Sequence, residues 1–154
     1  MKSFVIRCTL VLSAYAAPLA HWQAARTPVS NGIALGGAPN ADWTMEQRGA
    51  RMVARIKPNA DYYNRASFVL KLEKPIAEPV WLSIGYWDEG YGSIGVNVEG
   101  RRRRGAPSGE RRGVVRLNSG KLRHAVLHVE KLGAEVGIQG LTALHSVEVT
   151  REEP

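Results

Sequence analysis

From residue 62 onward, apolar residues recur at every second position in a series of short runs. The runs at 66–72, 80–87 and 93–98 show this most clearly, and shorter runs follow at 114–117, 124–130, 135–139 and 144–149. A period of two indicates half-buried strands, because successive strand residues point to opposite faces of a sheet. Gly, Pro, Asn and Asp separate the runs, and no long helical pattern competes. The chain is therefore predicted to be all-β, an antiparallel β-sandwich or barrel.

The first residues have the pattern of an export signal. Lys2 and Arg7 give a positively charged start, and an apolar run begins after them at Cys8. Ala14-Tyr15-Ala16 has the small-x-small form of a cleavage site. The run is shorter than the roughly 20 apolar residues of a membrane span. We predict a signal peptide at 1–16 and a secreted or periplasmic protein; the alternative is a buried N-terminal helix. The single cysteine, Cys8, lies inside this segment, so the mature chain would have no disulfide.

The rest of the chain divides into an arm and one domain. The length of 154 residues suits a single domain. Residues 17–40 mix Pro, Gly, Ala, Ser and Asn without a sustained period, which predicts a linker or loosely docked arm. Residues 41–154 are predicted to form the sandwich. Its first part, 42–56, fits either one helical face or an edge strand, and we favour a strand at 50–57.

The stretch 81–96 concentrates aromatic, acidic and glycine residues between two apolar runs. The glycines at 90 and 92 can adopt positive φ, so the pattern predicts a β-hairpin whose loop is 88–92. Tyr86 continues the inward row, Trp87 falls on the opposite face, and Tyr91 lies at the loop tip. Sugars offer C–H patches to aromatic rings and hydroxyl groups to carboxylates. We predict ligand-binding roles for Trp87, Asp88, Glu89 and Tyr91; the alternative is sheet packing beside a solvated turn.

Part of the chain resembles the galactose-binding-like β-sandwich modules of secreted bacterial proteins. The resemblance is carried by the segments YYNRASFVLKL, VWLSIGYWDEGYGSIGVNVEG, GVVRLNSGKLRHAVLHV and LHSVEVTR. The resemblance covers about residues 60–150. It implies a jelly roll that binds carbohydrate, and it adds Asn118 and Lys121, in the N-S-G-K turn, as ligand contacts. In such a loop Asp88 could also hold a structural Ca²⁺, although the DxDxDG pattern of a calcium loop is absent. No other cofactor is predicted.

Arginine is concentrated in one segment of a chain whose net charge is +7. Guanidinium groups pair in a bidentate way with carboxylate, sulfate and phosphate, so this segment predicts an anionic ligand such as an acidic polysaccharide. A solvated loop is the alternative, and nucleic acid is not favoured because no binding motif accompanies the charge. The segment contains Arg101, Arg102, Arg103, Arg104, Arg111, Arg112 and Arg116.

Catalytic signatures are absent from the sequence. There is no GxSxG, HExxH, P-loop or dinucleotide motif. His124 and His128 would stand about 13 Å apart on a strand, too far for one metal ion. A hydrolase would need a third carboxylate, from Asp61, Glu99 or Glu130, beside the adjacent Asp88 and Glu89.

A lyase using Tyr91 or His124 as its base, beside arginines that neutralise the substrate, is a further alternative. The favoured function is a non-catalytic polysaccharide-binding module. A structural or protein-interaction subunit is the first alternative, and a polysaccharide-degrading enzyme is less favoured. The sequence gives no prediction of oligomeric state.

Overall fold

The computed structural model describes residues 17–37, 42–56, 67–98 and 113–154. Their secondary structure consists of strands: β1 Ala20–Gln23, β2 Val29–Asn31, β3 Ile33–Leu35, β4 Trp43–Arg48, β5 Arg51–Ile56, β6 Ser67–Leu72, β7 Val80–Trp87, β8 Tyr91–Asn97, β9 Gly113–Leu117, β10 Leu122–Val129, β11 Glu135–Gln139 and β12 Ala143–Thr150. Within these ranges, no helix has the length and apolar character needed to cross a membrane. The predicted signal peptide and the arginines at 101–104, 111 and 112 lie outside the described residues.

The strands form two antiparallel sheets. The seven-stranded sheet has the order β10-β7-β12-β1-β2, with β5 also paired to β12 and β4 paired to β5. The five-stranded sheet has the order β3-β6-β11-β8-β9. From β5 to β12, each step along the chain changes sheet except the step from β8 to β9. This alternation between two antiparallel sheets is the connectivity of a jelly roll, so the predicted β-sandwich is confirmed.

The core lies between the sheets and follows the predicted alternation. On β7, the side chains of Leu82, Ile84 and Tyr86 are fully buried, as are those of Leu70 on β6 and Ile138 on β11. These residues belong to one continuous apolar cluster. The inward row predicted for Tyr86 is therefore confirmed. Burial of this cluster is the main favourable term for a chain without a disulfide.

The segment predicted as a linker or arm contains three strands instead. β1 pairs with β12 from Ala20↔Val149 to Gln23↔Ser146, and β3 pairs with β6 in the other sheet. Ala20, Trp22 and Ile33 are buried in the core. Each strand has only three or four residues, and Pro28 and Gly32 interrupt the pattern. The alternation was thus too short to stand out in the sequence.

Residues 43–56 form a hairpin. β4 pairs with β5 from Trp43↔Ile56 to Arg48↔Arg51, and Gly49 in the turn has φ 55°. The strand favoured at 50–57 is present as β5, and the helical alternative is wrong. Met45, Met52 and Ile56 pack partly buried against the core. The same residues would share a helical face, which explains why the pattern alone was ambiguous.

The predicted hairpin at 81–96 is wrong in its pairing, although both of its strands exist. β7 pairs with β10 and β12, whereas β8 pairs with β9 and β11. Residues 88–90 therefore cross from one sheet to the other. Gly90 and Gly92 do adopt positive φ, at 73° and 120°, but a tight glycine turn suits a sheet-to-sheet corner as well as a hairpin. The strands that pair with β7 and β8 come from residues 113–150, and a local turn pattern cannot predict these distant pairings.

Candidate functional site

The corner at 88–90 is held by the Asp88 carboxylate, which is fully buried. Its Oδ1 accepts a hydrogen bond from the backbone N–H of Leu117 at 3.1 Å. Its Oδ2 accepts from the N–H of Ser119 at 3.0 Å and from the Ser119 hydroxyl at 2.6 Å. The Asp88 backbone also donates to the carbonyl of Lys121 and accepts from the N–H of Gly120. Asp88 thus joins the corner to the turn between β9 and β10.

Two opposing effects act on the pKa of Asp88. Burial raises it, because the ionised form loses its hydration. The hydroxyl of Ser119 and the backbone N–H groups of residues 117–119 lower it, because they donate to the ionised carboxylate. The hydrogen bonds prevail, and the pKa of Asp88 lies below its ordinary value. Asp88 is therefore an ionised, internally bonded carboxylate at neutral pH.

The lowered pKa predicts a pH-dependent contribution to stability. It is complete above about pH 5, where Asp88 is ionised in both the folded and unfolded chains, and it is lost as the pH falls through the folded-state pKa. We expect the difference in Tm between the wild-type protein and Asp88→Asn to shrink from about pH 6 to about pH 3. Thermal unfolding followed by circular dichroism measures it. A difference that stays constant over this range would contradict the assignment.

Glu89 is held by basic and hydroxyl groups of neighbouring strands. Its Oε1 accepts hydrogen bonds from Arg55 Nη1 at 2.5 Å and from Thr142 Oγ1 at 2.8 Å. Its Oε2 lies 3.8 Å from Arg48 Nη2. These contacts fix Glu89 against the β4–β5 hairpin. A ligand hydroxyl would have to compete with them, and a ligand role for Glu89 stays a prediction.

The other predicted corner residues lie at the surface. Tyr91 is 77% exposed, and Arg116 Nη2 donates to its backbone carbonyl. Asn118 is exposed, has φ 53°, and accepts a hydrogen bond from the Gly90 N–H at 2.7 Å through Oδ1. The Lys121 side chain is also exposed. Asn118 thus supports the corner from outside, and Tyr91 and Lys121 are open to a ligand.

Trp87 and Tyr91, predicted to act together, project from opposite faces of the sandwich. Trp87 follows the buried Tyr86 on β7 and so points outward from the seven-stranded sheet. Tyr91 begins β8, where the inward positions are Ile94 and Val96, so it lies on the outer side of the five-stranded sheet. The corner between them connects the seven-stranded sheet to the five-stranded sheet. One ligand unit cannot rest on both rings.

A second tryptophan shares the outer face with Trp87. The outward residues of β7 are Trp81, Ser83, Gly85 and Trp87, so two indole rings flank two small residues on one strand. Trp81 is half-buried and meets His128 edge to face, with ring centroids 5.0 Å apart and planes at 62°. Trp87 is also half-buried, and its Cη2 would lie 3.8 Å from a Cβ at Gly49. We name the outward residues of β7, β10 and β12 the tryptophan face.

Polar side chains lie between the two tryptophans. Gly85 pairs with His124 on one side and Ser146 on the other. A Cβ added to Gly85 would stand 2.3 Å from Ser146 Oγ and 3.1 Å from His124 Cε1. Both side chains therefore extend over the glycine. His124 is exposed and Ser146 is half-buried.

A β-bulge in β12 helps to place Ser146. The register with β7 shifts between Leu144 and Ser146, which leaves His145 as the extra residue. His145 is buried, and its Nδ1 lies 2.7 Å from the carbonyl oxygen of Met52 on β5. Beyond the bulge, β12 pairs with β1 instead of β5. In a regular strand Ser146 would point inward like Leu144, two residues earlier. Because of the bulge it points outward, opposite Gly85.

Trp81 and Ser146 were not predicted as site residues, and His124 was named only as a possible base of the alternative lyase. The alternation in 80–87 already places Trp81 and Trp87 on one face, so that signal was present in the sequence. The convergence of His124 and Ser146 over Gly85 was not, because it depends on which strands flank β7. The outward positions of β7, β10 and β12 include no lysine or arginine, and Glu148 is their acidic residue.

The described residues offer little for a metal ion. Among them, no group of three or more His, Cys, Asp or Glu side chains comes close enough to hold one. His124 and His128 both lie on β10, as the strand prediction required. The oxygens of Asp88 face N–H and O–H donors, whereas Ca²⁺ binds oxygen acceptors. This arrangement does not fit the calcium site suggested for Asp88.

Comparisons with known proteins give a limited likeness. No protein-family model matches the sequence, and no curated protein matches it. Among solved structures, the chain is similar to a variant of a family 29 carbohydrate-binding module, with 14% identity, coverage of 86% of this chain and 85% of that chain, and a TM-score of 0.47. It is also similar to a family 29 carbohydrate-binding module from Piromyces equi, with 16% identity, 80% coverage of each chain and a TM-score of 0.39.

Proposed function

We propose that this protein is a non-catalytic carbohydrate-binding module of an exported protein, and that the tryptophan face holds a polysaccharide chain. The observation that carries the proposal is the outward row of β7, where Trp81 and Trp87 flank Ser83 and Gly85. Aromatic faces attract the C–H patches of sugar rings. Ser83 and Gly85 between the rings are small and buried, and His124 and Ser146 lie over Gly85, so polar side chains occupy part of the surface between the two rings.

The dimensions of β7 suit a chain of several sugars. Trp87 follows Trp81 by six positions, which corresponds to about 20 Å along a strand. A single monosaccharide would reach one ring, whereas an oligosaccharide would reach both. Binding to both rings should therefore favour polymers over monosaccharides, because the second contact adds to the first without a second loss of translational freedom.

The predicted corner residues form a separate part of the proposal. Tyr91, Asn118 and Lys121 would supply an accessory contact at the corner, since Tyr91 and Lys121 are exposed there. Asp88 would act by holding the corner, because its carboxylate is buried. The arginines at 101–104, 111 and 112 are proposed to contact anionic groups where the glycan carries them. This part rests on sequence composition.

Substitution of the tryptophans tests the main proposal. We expect Trp81→Ala and Trp87→Ala each to weaken polysaccharide binding about 5- to 30-fold, because each removes one stacking contact worth about 1–2 kcal/mol. Affinity electrophoresis in gels containing soluble glucan, xylan, mannan or polygalacturonate measures retention of each variant. Tyr91→Ala is the comparison variant: it removes an aromatic ring from the other face, and it should weaken retention less, because Tyr91 is proposed only as an accessory contact.

Three outcomes are informative. Lost retention for the tryptophan variants, with Tyr91→Ala retained, supports the tryptophan face. Lost retention for Tyr91→Ala alone would move the site to the corner. If the wild-type protein is not retained by any of the glycans, the module is better described as a structural or interaction subunit. Thermal unfolding of each variant shows whether a loss of retention reflects a loss of fold.

A further inference from the structure

The tryptophan face carries polar side chains on both strands that flank β7, including His128 on β10 and Glu148 and Thr150 on β12. The carboxylates of Asp88 and Glu89 already accept hydrogen bonds within the protein. Between the tryptophans and nearer to Trp87, His124 and Ser146 extend from β10 and β12 over Gly85. A neutral imidazole has one donor and one acceptor nitrogen, and a hydroxyl group can both donate and accept. Together they match the donor and acceptor character of sugar hydroxyls.

We infer that His124 and Ser146 hydrogen-bond the hydroxyl groups of the sugar unit held between Trp81 and Trp87, and thereby determine which glycan is selected. The inference rests on the proposed function. The tryptophan rings contribute affinity with little regard for the direction of a hydroxyl group, because C–H patches occur on many sugars. A polar pair aimed at one place on the ligand discriminates more sharply, because a ligand that lacks the matching hydroxyl leaves it unpaired.

Gly85 makes this arrangement possible. Any larger residue would occupy the space into which Ser146 Oγ extends, since even a methyl group would be 2.3 Å from that atom. The neighbouring outward residues of β7 are Ser83 and Trp87. The glycine thus admits the side chains from both flanking strands over the middle of β7. The lack of a side chain at residue 85 is therefore a requirement of the proposed site.

A methylation experiment tests the inference. The probes are whichever of the four glycans the wild-type protein binds most tightly and the same glycan after O-methylation, which removes hydroxyl donors. Isothermal titration calorimetry gives the ratio of their two affinities. We expect the wild-type protein to prefer the unmethylated form about tenfold or more. In His124→Ala and Ser146→Ala the ratio should fall about three- to tenfold, and Ser93→Ala, a serine exposed on the other sheet, should leave it unchanged.

Gly85→Ala provides a second, independent variant. It keeps both polar side chains but displaces them, and the Ser146 hydroxyl can rotate away from the new methyl group, so the fold should persist. The ratio should fall as in Ser146→Ala. A drop of equal size for both forms of the glycan in these variants, or an unchanged ratio, would overturn the inference. So would a wild-type protein that binds both forms equally, whereas a wild-type protein that binds none of the four glycans would refute the proposed function itself.

Discussion

Trp22→Ala is expected to lower the free energy of unfolding by about 3–5 kcal/mol, the range for truncating a large buried aromatic residue. Trp22 is 2% exposed and belongs to the core cluster. Its strand, β1, is paired on one side with β12 and on the other with β2. Truncation would leave a cavity that strands hydrogen-bonded on both sides cannot easily close. A linker, by contrast, would tolerate the change.

Urea unfolding followed by tryptophan fluorescence and circular dichroism measures this effect. The matched control is Val29→Ala, in the same segment, where the side chain is 52% exposed; it should change stability by less than about 0.5 kcal/mol. If Trp22→Ala were as mild as Val29→Ala, residues 20–35 would behave as the loosely docked arm that their composition indicated.

Asp88→Ala is expected to cost about 2–4 kcal/mol. The substitution leaves the N–H groups of Leu117 and Ser119 and the Ser119 hydroxyl without the buried acceptor they now share. Buried donors without partners are costly, and bonds to a charged acceptor are stronger than neutral ones. The guanidinium group of Arg123, whose Nη1 lies 4.0 Å from Oδ2, would also lose this ion-pair partner. The corner between the sheets and the turn at 117–121 should loosen together.

The measurement is chemical unfolding at neutral pH, with Glu148→Ala as the control for removing an exposed acidic residue from the same protein. Ser119→Ala should be milder than Asp88→Ala, since one of the three donors is lost and the buried charge keeps the other two. A loss for Asp88→Ala no larger than that for Glu148→Ala would show that the carboxylate does not hold the corner.

The sequence predicts the strands of the central sandwich well because each has one face in the core. In 80–87 the alternation is long enough to show which residues point inward, as the buried Leu82 and Tyr86 illustrate, whereas in 144–149 the bulge at His145 changes which positions point inward. The first three strands were missed because three or four residues cannot establish a period. The pairing of β7 and β8 was predicted wrongly because the conformations of Gly90 and Gly92 are compatible with a hairpin and with a corner.

The candidate site could be predicted in part for a related reason. Alternation in 80–87 places both Trp81 and Trp87 on the face opposite to Tyr86. It could not show that Asp88 would be buried, because the donors that hold it come from residues 29 and 31 positions away in the chain. Nor could it bring Ser146 beside Gly85, because that contact depends on a bulge and on strand order. The direction of a side chain can be predicted from the local sequence, whereas its neighbours on adjacent strands depend on residues far away in the chain.

The pairing of β1 with β12 constrains the order in which the fold can be completed. Among the described strands β1 comes first and β12 last, and residues 20–23 find their partners at 146–149. During synthesis, the tryptophan at 22 therefore lacks its partner strand β12 until nearly all of the described residues have emerged. Closure of a loop of this length depends on contacts far apart in sequence, which makes all-β domains slow to fold. Until then β1 can pair only with β2, and the edge that later meets β12 stays open to association with other chains.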